Sequence, residues 1–487
     1  MKLQMHPVNA SGPNALREPC VRLALTRWMR PAKLHSLPVE TDSAASTPQP
    51  VKSAKSLAYE WYVVGALTSL YTLSYIDRTI LGLLIGPIKR DLGINDTQVG
   101  LLTGLAFSVF YTLVGLPIGR LVDTRNRRNL IALGLVVWCC FTSLGAATKS
   151  YSTLFLARVG VGVGESSLSP AAYSVIADYF PKRLLGVAIS VFYMGVFLGS
   201  SLALLVGGMI VQALSQTPTL TLPILGTIAS WRATFLIVGM PGFLFVLLVY
   251  TIREPKRRDL IQNSAGGTDL PLNEAIAQMK LRWQSLVGIS VAMVFQSACA
   301  FALISWGPQF FQRIHGWNAA EAGRALAGIL LIFGCGGMLC GGKLSDHWHK
   351  QGVAESPLRV GMISAVGTAL FLAPAFAMKD SSWTLALAGP GLFFAALPMG
   401  ISVAALQRIF PNQVRGQVSA FFLFILNLGG YPLGTMLPGV FNNYYFHDEK
   451  MLGPSMALTI LIGAVLMLVL FALTIRPYKR HFQMMAA

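Results

Sequence analysis

From Trp61 to Ile475 the chain alternates long apolar runs with short polar interruptions. The runs cover 60–86, 97–117, 129–147, 151–176, 185–213, 233–252, 284–310, 321–341, 357–378, 382–407, 417–441 and 453–475. A bilayer core takes about 20 helical residues. The pattern therefore predicts an all-α membrane protein with twelve transmembrane helices. The interruption "GRLVDTRNRRNL", Gly119–Leu130, stands out. It packs one acid and four arginines between two apolar runs.

That interruption recurs in weaker form. "GKLSDHWHKQG" begins at Gly342, and the interval from Gly119 to Gly342 equals that from Asp123 to Asp346. A second pair, "YFPKRLLGVAIS" from Tyr179 and "IFPNQVRGQVSA" from Ile409, repeats at nearly the same interval. Two intervals that agree this closely over half the chain point to two six-helix pseudo-repeats, a transporter architecture. The expected organisation is a disordered cytoplasmic tail at 1–58, a first half at 59–253 and a cytoplasmic linker at 254–283. A second half follows at 284–478 and a short tail at 479–487.

Composition supports this class. Charged residues make up 12% of the chain, against about 25% in soluble domains. The net charge of +18 raises the question of nucleic acid, but the basic residues sit in alternate loops and the C-terminal tail. Arg120, Arg125, Arg127, Arg128, Arg183, Arg253, Lys256, Lys343, Lys350, Arg415 and Arg480 all fall on one side. This positive-inside pattern places both termini in the cytoplasm of a plasma (inner) membrane protein. It leaves no basic soluble module for nucleic acid. The six cysteines are scattered without metal-ligand spacing, so neither metal nor cofactor is expected.

The short loop has a physical reading. An acid at one helix end accepts from the free N–H groups of a neighbouring helix start, and arginines hold the loop cytoplasmic and pair with nearby acids. Gly119, Asp123, Arg127, Arg128, Gly342 and Asp346 are therefore candidate gating-latch residues. Gly119, Leu121, Asp123, Arg127 and Arg128 resemble the loop signature of the major facilitator superfamily, with Thr124 and Asn126 departing from it. "YIDR" at Tyr75, "GVGESSLSP" at Gly162, "WRATF" at Trp231 and "REPKR" at Arg253 are similar to its spinster branch, whose members handle lysolipids and sphingolipids. The resemblance covers residues 58–478.

Most spans lack ionisable residues near their centres. The exceptions are Asp77 and Arg78 in the first and Arg158 and Glu165 in the fourth. A charge at mid-bilayer costs at least ~2.5 kcal/mol, so retained ones are functional by default. Arg158 and Glu165 are seven residues apart, which on a helix is about 10 Å along one face. The resemblance implies that this quartet is linked to protons, with Asp77 or Glu165 as the carrier. Arg78 and Arg158 are candidate anchors for an acidic head. The glycines of "ARVGVGVGESS" lie inside a span and follow no strand, so they allow close helix approach and do not mark a nucleotide loop.

The second half offers neutral polar candidates, Gln296 and Asn427, and aromatics are plentiful. Tyr71, Tyr111 and Tyr193 join them as expected substrate-binding residues. An apolar cavity with charges on one side suits an amphipathic organic anion or lysolipid-like molecule. The expected activity is secondary active, proton-coupled transport by a monomer. An importer of aromatic, steroid-like or sugar acids is the alternative. No H-E-x-x-H, G-x-S-x-G or G-x-x-x-x-G-K-[ST] motif points to a membrane enzyme or an ATP-driven pump. A non-transporting receptor would not need the buried charges.

Overall fold

The computed structural model describes residues 57–215, 217, 219–223, 226–255, 272–411 and 414–486. The expected N-terminal tail up to residue 56 and residues 256–271 of the expected linker lie outside that set.

Twelve traversals are present among the described residues. Ten are helices long and apolar enough to cross a membrane, among them Asp96–Val122, Arg127–Ala147, Ala319–Lys350 and Gln417–Phe446. The other two are the first helix, Ala58–Leu92, and the fourth traversal, Tyr151–Glu165 followed by Leu168–Tyr179. These two carry Asp77, Arg78, Arg158 and Glu165, and the fourth is broken at Ser166–Ser167. The spans are numbered one to twelve in chain order.

Local signals set the span ends. The first helix stops at Gly93, whose φ of 64° is the left-handed turn that glycine adopts freely. Asn95 caps the second span in a reciprocal capping box with Gln98. Asn318 caps the eighth in the same way with Glu321, and it follows Asn95 by the interval that separates Gly342 from Gly119. Ser150 and Asp380 cap the fourth and tenth spans, and they are as far apart in sequence as Tyr179 and Ile409. Both repeat intervals are therefore written into the helix caps.

Some segments depart from the expected pattern. Residues Thr219–Leu222 and Gly226–Ala229 form a small antiparallel hairpin between spans five and six. The expected linker ends in a helix, Leu272–Leu281. Spans two and eight each contain a π-helical turn, Leu101–Leu105 and Leu330–Gly334.

The face at which the first helix begins, at Ala58, and the last ends, at Ala486, is here the near face, and the opposite one the far face. The halves meet toward the far face. A core cluster there joins Ile80, Leu84 and Leu204 of the first half to Leu303, Trp306 and Leu326 of the second. Two crossings close it. Span two meets span eleven, where a Cβ on Gly100 would lie 2.7 Å from both Met436 Cα and Thr435 O. Span eight meets span five, where a Cβ on Gly323 would overlap the Leu204 carbonyl. Only glycine permits backbones this close.

Candidate functional site

Two buried ion pairs lie side by side between spans one and four. Ser74 and Arg78 are four residues apart on one face of the first helix, and both donate to Glu165 Oε2. Ser74 Oγ is 2.5 Å away, Arg78 Nε 2.8 Å and Arg78 Nη2 2.6 Å. Asp77 points to an adjacent face. It accepts from Thr142 Oγ1 of span three at 2.6 Å and from Arg158 Nη1 at 3.3 Å. Close helix packing makes this possible: a Cβ on Gly162 would lie 2.6 Å from the Phe107 carbonyl of span two.

The quartet is only partly satisfied. Asp77, Arg158 and Glu165 are all buried. Yet Glu165 Oε1, Arg158 Nε and Arg158 Nη2 have no hydrogen-bond partner. Buried polar atoms without partners are costly. Each pair therefore has spare capacity for a proton, a water or a ligand group.

Beside the quartet lies a cavity of about 290 Å³ between the halves. Tyr71, Arg78, Tyr111 and Tyr193 line one wall, and Ser297, Asn427 and Tyr431 the other. It reaches Gly115, Leu116 and Ala420 toward the near face. The Arg78 guanidinium carbon sits 4.3 Å from the Phe107 ring centre, 4.8 Å from Tyr75 and 5.0 Å from Tyr111. Such stacking orients the cation without neutralising it. Tyr71 stacks on Phe192 at 4.4 Å, and Tyr111 donates to Ser169 Oγ at 3.1 Å. The wall is thus mostly aromatic with one cation.

Two of the expected substrate-binding residues, Arg158 and Gln296, do not line this cavity. Arg158 lies behind the wall, bound to Asp77, so among the described residues Arg78 alone brings a guanidinium to the space. Gln296 is buried against span ten, its Nε2 donating to the Ala395 carbonyl at 2.6 Å, so it ties helices together and does not line the cavity. The sequence reading also missed Ser74 and Thr142. The four-residue spacing of Ser74 and Arg78 was a usable signal; Thr142 offered none.

At the near face the arginine loop works within its own half. Arg127 is buried. Its Nε donates to Glu254 Oε1 at 2.7 Å, Nη1 to Ser174 Oγ at 2.8 Å and Nη2 to the Pro255 carbonyl at 3.0 Å. It also pairs with Asp178. The backbone N–H of Arg128 donates to Glu254 Oε2 at 3.0 Å. The acid of "REPKR" thus caps the third span. Asp346 meets Arg408 of span ten at 3.4 Å and is exposed. The Asp123 side chain lies outside the described residues, although its backbone ends the second span. Gly119 and Gly342 have open space where a Cβ would stand.

The model of the Major Facilitator Superfamily matches residues 67–431. The chain belongs to that superfamily. It is 28% identical over 414 residues to an MFS-type efflux pump of Mycolicibacterium smegmatis, a match covering 83% of this chain and 90% of the relative. It is 24% identical over 357 residues to a probable L-galactonate transporter of Escherichia coli, covering 72% and 73%. Among solved structures it resembles a bacterial homologue of the human lysosomal transporter spinster, in an inward-facing and unoccupied conformation. The TM-score is 0.68 at 25% identity, over 88% of this chain and 97% of that one. The multi-pass membrane architecture, the superfamily and the spinster-like resemblance all agree with the sequence.

Proposed function

We propose that this transporter couples proton movement to the passage of an amphipathic organic anion by alternating access. The observation that carries the proposal is the double duty of Arg78. Its guanidinium lines the cavity while two of its nitrogens are given to a single oxygen of buried Glu165. A proton on the free Glu165 Oε1 weakens that hold. Arg78 is then available to an anion in the cavity, and deprotonation recaptures it. Competition between proton and anion for one arginine links the two fluxes. Asp77 and Arg158 form a second pair behind the first, and Arg158 serves as its counter-ion.

The aromatic wall favours a substrate with an apolar body and an acidic head, in line with the spinster-like resemblance. The similarity to a probable L-galactonate transporter supports a second reading, a sugar acid held by Arg78 with Asn427 and Ser108 on the wall. The near face is the cytoplasmic one, both termini lie there, and the chain acts as a monomer in the plasma (inner) membrane. Proteoliposome uptake under an imposed pH gradient tests this, with lysophosphatidylglycerol and galactonate as parallel probes. Gradient-dependent accumulation of either supports the coupling and names the substrate class. Flux of either at a rate indifferent to the gradient contradicts the coupling.

A further inference from the structure

A second buried charge cluster lies at the far face, outside the cavity, and the transport reading does not use it. Asp96, at the start of span two, is fully buried. Both of its oxygens are saturated. Oδ1 accepts from Lys89 Nζ at 2.6 Å and Arg313 Nη2 at 2.9 Å. Oδ2 accepts from Arg313 Nη1 at 2.8 Å and Asn442 Nδ2 at 2.8 Å. Lys89 also reaches Glu449 at 2.6 Å, and Arg313 lies 3.9 Å from Glu449. Lys89 and Asp96 belong to the first half; Arg313, Asn442 and Glu449 belong to the second.

The four charges form a closed ring of alternating sign. Two of its pairs cross between the halves, Asp96 with Arg313 and Lys89 with Glu449. The other two stay within a half, Lys89 with Asp96 and Arg313 with Glu449. Each half contributes one acid and one base. If the halves part here, every charge retains a partner of opposite sign on its own side. A buried ion pair that loses one partner is left with an uncompensated charge, which is strongly unfavourable. This ring avoids most of that cost while still rewarding closure.

The pseudo-equivalent crossing supplies a contrast. Ala319 holds the place in the second half that Asp96 holds in the first, one residue after the capping asparagine. There a Cβ on Gly208 would lie 2.6 Å from the Ala319 carbonyl. Among the described residues, the crossing of spans five and eight packs closely without an ion ring. Helix packing alone therefore does not require the ring at spans two and eleven.

We infer that Lys89, Asp96, Arg313 and Glu449 form a self-neutralising clasp that holds the far face closed and opens by partner exchange. Asp96 is its centre, because it carries the bidentate cross-half contact. Glu449 is peripheral and half exposed. The inference rests on alternating access, but not on proton coupling, on substrate identity or on which face is cytoplasmic.

Spin labels test it. Lys149 and Lys379 are exposed far-face residues, one in each half. With the native cysteines replaced by alanine, labels at Lys149→Cys and Lys379→Cys report the far-face separation by electron–electron resonance in nanodiscs. Asp96→Asn and Arg313→Gln are each expected to raise the ratio of long to short separations by about tenfold or more, equivalent to ~1.4 kcal/mol. Glu449→Gln should shift it by less than about threefold, since the Asp96–Arg313 contact remains. Size-exclusion profiles of each variant establish folding, and two independent clasp variants guard against one failing to fold. Parent-like separations in folded Asp96→Asn or Arg313→Gln overturn the clasp. Equal shifts from Glu449→Gln and Asp96→Asn overturn Asp96 as its centre. Either readout is obtained without substrate, so it stands apart from the uptake result.

Discussion

Spans two and eight present the same residue type at both ends, in opposite circumstances. Gly100 and Gly323 are repeat-equivalent and lie toward the far face, where each is pressed against backbone of the other half. Gly119 and Gly342 are repeat-equivalent at the near face, where nothing stands within 4 Å of an added Cβ. Gly119 follows Gly115 by one helical turn, and Gly115 lines the cavity. One end of each of these two helices is closed and the other is open. A glycine with no neighbour here is understandable if its neighbour arrives in the other conformation. The two ends differ in polar design as well. The far face has charge pairs that bridge the halves, while the near-face pairs of Arg127 and Asp346 do not join one half to the other.

The largest effect is expected from filling the closed end. Gly323→Leu or Gly100→Leu sets a side chain against backbone that cannot yield, so the far face cannot close. Uptake should fall at least about tenfold as the population moves to the far-open state. Spin-label separations across the far face should lengthen in step. Normal uptake by either variant would show that the close crossing is incidental.

Filling the open end comes next. Gly119→Trp with Gly342→Trp meets no neighbour in the present conformation, so thermal stability in detergent should stay within about 0.5 kcal/mol of the parent. Turnover should nevertheless drop severely, because the near face can no longer close. Substrate binding without turnover is the expected signature. Retained turnover would mean that these glycines never meet the opposite half.

The near-face ion pairs separate burial from position. Arg127→Ala removes a buried guanidinium together with its contacts to Glu254, Ser174, Pro255 and Asp178 and should cost about 3 kcal/mol in unfolding stability. Asp346→Ala removes an exposed pair worth ~0.2–1 kcal/mol, with a correspondingly small change in transport rate. Comparable losses from both would contradict the burial argument.

Much of this architecture is legible in the sequence, because the membrane imposes a length on each apolar run. The span edges follow from Asn95, Ser150, Asn318 and Asp380, whose short polar side chains cap helix starts. The four charges within the first and fourth spans are legible because a charge within an apolar run is conspicuous. Their partnership is less so. The shared face of Arg158 and Glu165 suggested a common role, yet the structure gives Glu165 to Arg78 and Arg158 to Asp77. Spacing on one helix says nothing of which neighbour lies opposite. The role of Asp96 is hidden in the sequence for a related reason. An acid at a helix start reads as an ordinary interfacial residue, and only the fold brings Arg313 and Asn442 to it. Gln296 is the reverse case, a polar residue in a span whose amide binds a carbonyl of a neighbouring helix.

The central claim is that Glu165 and a substrate anion compete for Arg78. Its most direct test compares Glu165→Gln with the parent in proteoliposomes, using whichever probe the parent accumulates. Two quantities are measured in the same preparation: accumulation driven by an imposed pH gradient, and substrate counterflow at equal pH on both sides. Glutamine mimics the protonated carboxyl, so counterflow should persist at about the parent rate while gradient-driven accumulation is lost. Asp77→Asn, which leaves the Glu165–Arg78 contact in place, should retain accumulation. If Glu165→Gln accumulates substrate with the parent's response to the gradient, the proposed competition for Arg78 is wrong.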